Sequence, residues 1–424
     1  HRRHHRGLPR VLRSGGLSPA PMKRRLASSL AALLSAAAAL SACQGSDDQG
    51  PVNLSKGVPV GAVLALTGNA NVYGQDQKIG IELALAALNG AGGVNGKPLA
   101  LSIEDGGSAE PSANAAFTLQ INRGMLALIG PTLSQQAFSA DPIAQRRGVP
   151  VVAPSNTATG IPEIGNFISR VSAQSSVIAP LSITKALQLN PSIRRAAVFY
   201  AQDDAYSTAE TVIFQQALTA KGLKPVTVQR TQLNDQDFQS QITAALNQKP
   251  DLVVLSLQAM DGGNLIRQLR ELGYRGAIVV GNGMNTPNIY PICQKYCDGI
   301  LIAQAYSPEL ATPANQRFTA AFAAAQARNP KVSPIPPQLT AQAYTAMQVI
   351  GEALARLDRS QPLKGLPLGQ ARKALMAEIL GGTYQTPLGE IRFTPEGEVI
   401  QKNFFVAQVR MNAGGKSGRF SLLP

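Results

Sequence analysis

Short, continuous apolar runs alternate along the chain with stretches whose apolar residues recur every three or four positions. Residues 58–66 (VPVGAVLAL) form the first run, apolar almost throughout and bounded by turn residues, as in a strand buried on both faces. After the loop TGNANVYG, Ile79, Leu83, Ala86 and Ala87 recur at helical spacing until Asn89-Gly90 ends the run. The same reading gives a strand over 97–104, a helix over 111–123 with Pro at its first turn, a strand over 125–129, a helix over 135–147 and a strand over 149–153. A second cycle follows residues 167–170, with strands over 195–200, 224–230, 251–257, 277–280 and 299–303 and helices over 174–189, 205–221, 238–247 and 263–272. This rhythm predicts an α/β chain of two doubly wound parallel sheets, hence two lobes with a cleft between them. Helices over 315–328, 339–357 and 369–380, and two alternating strands around the turn Pro395-Glu396-Gly397, are too few for a third domain and should pack onto the lobes.

Two of the first-lobe strands end in small hydroxyl residues. MLALIG-PTLSQQ runs from a strand through a Gly-Pro break to Ser134, at the expected N-cap of a helix whose first amides lack partners. VPVVAPSNTAT delivers Ser155, Asn156 and Thr157 from the next strand. If the two strands are parallel neighbours, their carboxyl ends open into one crevice, the usual ligand position in such sheets. Hydroxyls and free amides at a helix N-terminus form a neutral donor cradle suited to a small anion such as a carboxylate. The alternative is that Ser134 only caps its helix and 155–157 only form a turn.

The start of the chain changes how its charge is read. From Met22, MKRRLASSLAALLSAAAALSAC has a basic region, an apolar run over 26–40 and then Cys43. That is the form of a secretory signal peptide, and the run is shorter than the roughly 18 residues of a spanning helix. Its end resembles a bacterial lipobox, which would make Cys43 the lipidated first residue. Residues 1–21, with five Arg and three His, are expected to be an upstream extension. Of the formal net charge of +14, residues 1–42 hold eight basic residues and no acidic one, leaving +6 on the remaining 382. No basic run interleaved with aromatics supports nucleic-acid binding. All three histidines lie in the extension, so the remainder can build neither a Ser-His-Asp or Cys-His site nor a His-ligated zinc. Neither cofactor nor metal is expected. Cys293 and Cys297, in PICQKYCDG, could close a local disulfide in an oxidising compartment or remain two thiols. Residues 43–57 read as a polar tether, with the folded part beginning at Val58.

LALTGNANVYGQDQKIGIELALAALNGAGGVNGKPLALSIEDGGS, IGPTLSQQAFSADPIA, GVPVVAPSNTAT, VFYAQDDAYSTAE and DLVVLSLQAMDGGNLIRQLRELG together resemble the branched-chain amino-acid type of periplasmic solute-binding proteins. The resemblance covers roughly 58–409. It implies the type I periplasmic-binding fold, with two doubly wound lobes joined by a three-crossover hinge and ligand held in the cleft on closure. Lobe I would comprise 58–172 and 305–395, and lobe II 173–304 and 396–424. It further implies a small-molecule solute, the permease subunits of an ABC importer as partner, and a membrane association through lipid at Cys43 alone, at the outer face of the inner membrane. By position, Ser134 and Thr157 match the hydroxyls that hold the ligand carboxylate. Leu133, Ser155 and Asn156 match the backbone around them, and Tyr73 and Tyr206 match aromatics that cover the ligand.

The departures from that pattern bear on specificity. Where the amino-acid binders present an acidic residue to the ligand ammonium, this chain has VVGNGMNTPN, with Asn282 and Asn285. Where they have an aromatic after the strand at 251–257, it has Gln258. Asp203, Asp204 or Asp261 could supply the missing acid, or could cap helices. The expected function is capture of an amino acid or small amide or carboxylate for import, without catalysis. The other class is a ligand sensor or cell-envelope interaction protein on the same fold. A hydrolase using Ser134 or Ser155 would need a Lys base, and none stands near either serine in sequence.

Overall fold

A computed structural model describes residues 50–330 and 332–424. The expected signal peptide, Cys43 and residues 44–49 of the expected tether lie outside them. Strands β1 (Val58–Leu64), β2 (Leu99–Asp105), β3 (Leu128–Ile129), β4 (Val151–Ala153) and β5 (Ile168–Arg170) form a five-stranded sheet in the order β2-β1-β3-β4-β5, parallel throughout. Helices α1 (Asn71–Gly90), α2 (Glu110–Asn122) and α3 (Ser134–Arg146) connect its first four strands. The second lobe repeats the scheme through α4 (Ser175–Leu189), β6 (Ala196–Ala201), α5 (Ala205–Ala220), β7 (Pro225–Thr231), α6 (Gln239–Leu246), β8 (Leu252–Ser256), α7 (Ala259–Glu271), β9 (Ala277–Val280), the short α8 (Tyr290–Cys293) and β10 (Leu301–Gln304). Then α9 (Pro313–Arg328), α10 (Gln338–Ser360) and α11 (Leu368–Gly381) return to the first lobe, followed by β11 (Tyr384–Thr386), β12 (Gly389–Phe393), β13 (Val399–Gln401), β14 (Phe405–Met411) and β15 (Gly418–Leu422).

The unbroken apolar run of β1 has a direct cause in packing. Val60, Ala62 and Leu64 meet Ile81 of α1 and Met347, Ile350 and Leu354 of α10. Val63 faces the opposite way, toward Phe117 of α2 and Ala137 of α3. A strand covered on both sides has no solvent face on which polar residues would alternate. In the second lobe Ala197 and Phe199 pack on one side of the sheet with Leu265 of α7, while Val198 packs on the other with Ile183 of α4 and Phe214 of α5.

The tail departs from the expected pair of strands. β12 and β13 do pair antiparallel around Pro395-Glu396-Gly397, but β11 adds a third strand to this small sheet. Beyond Gln401 the apolar run continues as β14, which leaves for the second sheet and pairs antiparallel with β10 and β15. That sheet therefore reads β15-β14-β10-β9-β8-β6-β7 and is mixed, not purely parallel. The chain passes between the sheets at 171–174, 305–312 and 402–404, and the last passage falls later than the expected 395/396 boundary. The tether also ends early. Val52 is buried in the first-lobe core, its amide donates to Leu366 O at 2.9 Å, and Leu368 N donates to Gly50 O at 2.9 Å. Residues 50–57 thus dock on the loop before α11. Cys293 and Cys297 are joined as a disulfide, with Cα atoms 5.4 Å apart, where α8 gives way to an irregular turn.

One buried cation ties the tail to the first sheet. Arg170, at the end of β5, is fully buried. Its Nε donates to Glu398 Oε2 at 2.9 Å and its Nη2 to Oε1, while Nη1 donates to the carbonyls of Asn156 at 3.1 Å and Ala158 at 2.6 Å. The planar fork matches the carboxylate of the returning turn on one side and the loop after β4 on the other. Replacing it strands a carboxylate and the Ala158 carbonyl, while Asn156 O keeps Ser172 Oγ at 2.7 Å, so Arg170→Met should lower unfolding stability by about 3–5 kcal/mol in urea titrations, with Arg170→Lys recovering only part. A loss below about 1 kcal/mol, the range of an exposed pair, would contradict this role.

Candidate functional site

The carboxyl ends of β3 and β4 lie side by side, and the loops that follow build the first-lobe wall of a cleft. Helix α3 begins at Ser134 itself. Its N-cap is Leu133, so no side chain caps the helix, and Leu133 N donates to Gln136 Oε1 at 3.3 Å. Ser134 is not the cap because its side chain turns to the neighbouring loop, where Oγ accepts from Ala158 N at 3.3 Å. Its hydroxyl proton has no partner among the described residues, and neither has the hydroxyl of Thr157.

The other hydroxyls at these strand ends are already used. Thr132 Oγ1 donates to Gln77 Oε1 at 2.6 Å and accepts from Ala65 N at 2.9 Å. Ser155 Oγ donates to Thr132 O at 2.6 Å and accepts from Gln77 Nε2 at 2.7 Å. Gln77, fully buried on α1, is the hub that locks β1, β3 and β4 together at their ends. Asn156 is also fully buried, and its Nδ2 braces the carbonyls of Pro131 and Thr132 at 3.2 Å each.

The second-lobe wall carries Tyr206 in the first turn of α5. Its hydroxyl donates to Glu210 Oε2 and accepts from Gly283 N at 2.6 Å. Glu210 Oε1 accepts from Asn282 N at 3.0 Å, and burial pushes this carboxyl up to about 7. The loop over them needs glycine. A Cβ on Gly281 would collide with the Glu210 carboxylate, and one on Gly283 would lie 2.7 Å from the Tyr206 ring. Gln258, the N-cap of α7, donates from Nε2 to Asp204 Oδ2 at 3.3 Å, and burial pushes Asp204 up to about 6.

Several bonds join the lobes across the cleft. The Tyr73 hydroxyl, from α1, accepts from Ala259 N at 2.6 Å and donates to Gly283 O at 2.5 Å. A first-lobe tyrosine thereby satisfies an orphan amide at the N-terminus of a second-lobe helix. Ala205 N donates to Gln135 Oε1 at 3.0 Å, and Asn69 Nδ2 to Asn234 Oδ1. Asp76 on α1 accepts from Thr286 Oγ1 at 3.4 Å and Asn288 Nδ2 at 3.3 Å. The lobes are closed on one another.

Between them lies a cavity of about 40 Å³. Tyr73, Leu133, Ser134, Ser155, Thr157, Tyr206, Gln258 and Asn282 line it, as does Leu339 at the start of α10, with Thr132 and Gly283. Asn156 does not line it, because its side chain is buried behind the wall, where Nδ2 braces the two carbonyls. None of these lining side chains is charged. The acids weighed as substitutes stand elsewhere: Asp203 accepts from Leu233 N at 2.8 Å, Asp261 from Asn234 N at 3.1 Å, and Asp204 sits behind Gln258. The acid that sequence reasoning missed is Glu210. Its only sequence signal is a position four residues after Tyr206 on one helix face. A larger hollow, about 400 Å³, lies between the Pro-rich link 333–337, Tyr290, Tyr306 and Phe420. Two of its amides are bonded within the wall, Gln304 to Asn285 at 2.7 Å and Asn412 to Ser417 at 2.9 Å, and Glu309, Lys416 and Arg419 make its lining charged, unlike that of the cleft.

Closure should depend on pH through Asp76. Burial in the closed form pushes its carboxyl from an ordinary 3.8 up to about 7, and its partners Thr286 and Asn288 belong to the opposite lobe. A group whose closed-state value is raised takes up a proton on closing, so its contribution disfavours closure increasingly from pH about 4 to about 7 and is constant above. Asp76→Asn should flatten that part of a pH profile of ligand affinity, leaving the parts due to Glu210 and Asp204. An unchanged slope would show that Asp76 stays solvated. Tyr73→Phe removes both latch bonds and should weaken ligand binding by about 1–3 kcal/mol in calorimetry while leaving the midpoint of unligated unfolding within a few degrees.

Comparison with known proteins places the chain. Residues 57–416 match the family described as periplasmic binding protein. The Leu/Ile/Val-binding protein BraC3 of Rhizobium johnstonii is 24% identical over 352 residues, covering 82% of this chain and 90% of that one. The crystal structure of a leucine binding protein, LivK, from Thermotoga maritima superposes with a TM-score of 0.75 at 25% identity, over 86% of this chain and 97% of that one. A solute binding protein of an ABC transporter from Rhodopseudomonas palustris, in complex with 3,4-dihydroxybenzoic acid, shares the fold with a TM-score of 0.73 at 20% identity, over 86% and 96%. No helix among the described residues is long and apolar enough to cross a membrane. With two mixed or parallel α/β lobes, three crossings and a cleft walled by hydroxyls, the chain belongs to the periplasmic binding protein family, in the type I fold of its branched-chain amino-acid members, and is a solute-binding protein, not an enzyme.

Proposed function

We propose that this protein is the exported solute-capturing component of an ABC importer, tethered through lipid on Cys43, and that it takes an amino acid or a small amide or carboxylate into the cleft by hinge closure. The observation that carries this reading is the unspent donor set on the first lobe. The Ser134 hydroxyl proton and the Thr157 hydroxyl have no partner among the described residues, and they stand where the uncapped first turn of α3 offers its amides. Buried polar groups without partners are costly, so such a set calls for an oxygen-rich ligand. In the open form the solute would bind this wall first. Closure would then add Tyr206, Gln258 and Asn282, and the Tyr73 latch would hold the closed state that the permease reads. The names of relatives agree in chemistry, since the amino acids bound by the Rhizobium protein and the acid bound by the Rhodopseudomonas protein all carry a carboxylate.

A sensor or cell-envelope interaction protein on the same fold is the second reading. The uncharged lining favours it, because it departs from what a zwitterion needs. Thermal unfolding of residues 44–424 separates the two. A panel of amino acids, amides, urea and short carboxylates should include one chemical group that raises the midpoint, by about 2.7 kcal/mol of stabilisation at a hundredfold excess over its dissociation constant. Ser134→Ala and Thr157→Val should each then weaken that ligand by about 1–3 kcal/mol. No shift with any compound, in protein freed of carried-over ligand, would favour the second reading.

A further inference from the structure

The hydrogen-bond capacity left in the cavity is lopsided, and its sign identifies the ligand. An α-ammonium brings three N–H donors and a full charge, and burying it requires acceptors and a counter-charge. The lining offers almost none. The hydroxyls of Tyr73, Tyr206, Thr132 and Ser155 each donate one bond and accept one already, and Gly283 O accepts from Tyr73. Asn282 is fixed by a chain of partners. Gln338 Oε1 must accept from the backbone amide of Ala305, at 2.7 Å, which leaves Gln338 Nε2 to donate to Asn282 Oδ1 at 2.9 Å. Asn282 therefore has its Nδ2 donor to spare. Gln258 turns Nε2 to Asp204 and keeps one neutral oxygen, Oε1.

Neither nearby carboxylate reaches the cavity. Glu210 is 1% exposed and held behind Tyr206 by the Tyr206 hydroxyl and the Asn282 amide. Asp204, also 1% exposed, is screened by Gln258. Against this stand the donors: Ser134, Thr157, the first amides of α3 and the Asn282 amide. A carboxylate is an acceptor at both oxygens and matches them without any countercation.

We infer that the cavity takes a small carboxylate whose neighbouring carbon bears no ammonium, such as an unsubstituted, hydroxy, oxo or arene-bearing acid, in preference to a free amino acid. This rests on the reading of the Ser134–Thr157 wall as the carboxylate seat, and it adds the chemistry of the opposite wall. The neutral residues Gln258 and Asn282 become the discriminators, since either could carry a carboxylate with one atom exchanged.

Isothermal titration of the purified full-length protein, freed of carried-over ligand, with matched pairs tests it. The pairs are propionate and alanine, 4-methylpentanoate and leucine, and 3-phenylpropionate and phenylalanine, with propionamide as a probe lacking the charge. At least one acid should bind about tenfold or more tightly than its amino acid, the discrimination expected for one unpaired buried donor or charge. Asn282→Asp or Gln258→Glu should narrow or reverse that preference by admitting a counter-charge and repelling the plain acid. Amino acids binding as tightly as their partners would overturn the inference while leaving the carboxylate seat intact. Propionamide matching propionate, or no acid and no amino acid binding, would overturn the carboxylate seat and the inference with it.

Discussion

The candidate binding wall depends on one buried guanidinium. Arg170 ends the fifth strand of the first sheet, and its fork joins Glu398, on the turn that brings the tail back, to the carbonyls of Asn156 and Ala158. Those carbonyls flank Thr157, so the position of the Thr157 hydroxyl is set by a residue that never touches the cavity. A charge this deep is tolerated only with its donors matched, and the matching fixes three segments distant in sequence. The Gln77 hub does the same for the neighbouring strand ends by occupying Thr132 and Ser155. Among the described residues, what these networks leave unmatched at the strand ends is the Ser134 hydroxyl proton, the Thr157 hydroxyl, the amides of an uncapped helix turn and, behind the wall, Asn156 Oδ1.

The second lobe is built on the opposite plan. Its acids are present but withdrawn, Glu210 behind a tyrosine ring and Asp204 behind an amide, and burial raises both toward neutrality of the carboxyl. The wall that lines the cavity is therefore uncharged, although two carboxyls lie just beyond it. Closure is carried by separate contacts, the Tyr73 latch and the bonds to Asp76. Capture and closure thus use largely different residues, with Tyr73 and its acceptor Gly283 the latch contacts that also line the cavity.

Much of the fold was legible because its causes are local. Strands covered on both faces must be apolar throughout, and the helices between them must show a single apolar stripe, so the alternation over 58–304 could be read directly. The tail was not, because whether 399–411 is one strand or two depends on the edges of two sheets, not on its own periodicity. Residues 50–57 read as tether since a single buried Val52 and two backbone bonds carry no pattern. Around the site, Ser134 and Thr157 were legible from their position at strand ends. Gln77, Thr132 and Arg170 were not, since their roles arise only when segments tens of residues apart meet. Glu210 looked like any acid on a helix, and Leu339 like any core leucine.

Where a carboxylate sits in the closed cleft is tested most directly by a crystal structure grown with 4-methylpentanoate. Both carboxylate oxygens should lie within about 2.7–3.2 Å of Ser134 Oγ, Thr157 Oγ1 or the first amides of α3, with the alkyl tail toward Leu339 and Tyr206. Density for the acid in the larger hollow beside Tyr290 and Phe420, with the cleft closed and holding only solvent, would contradict it.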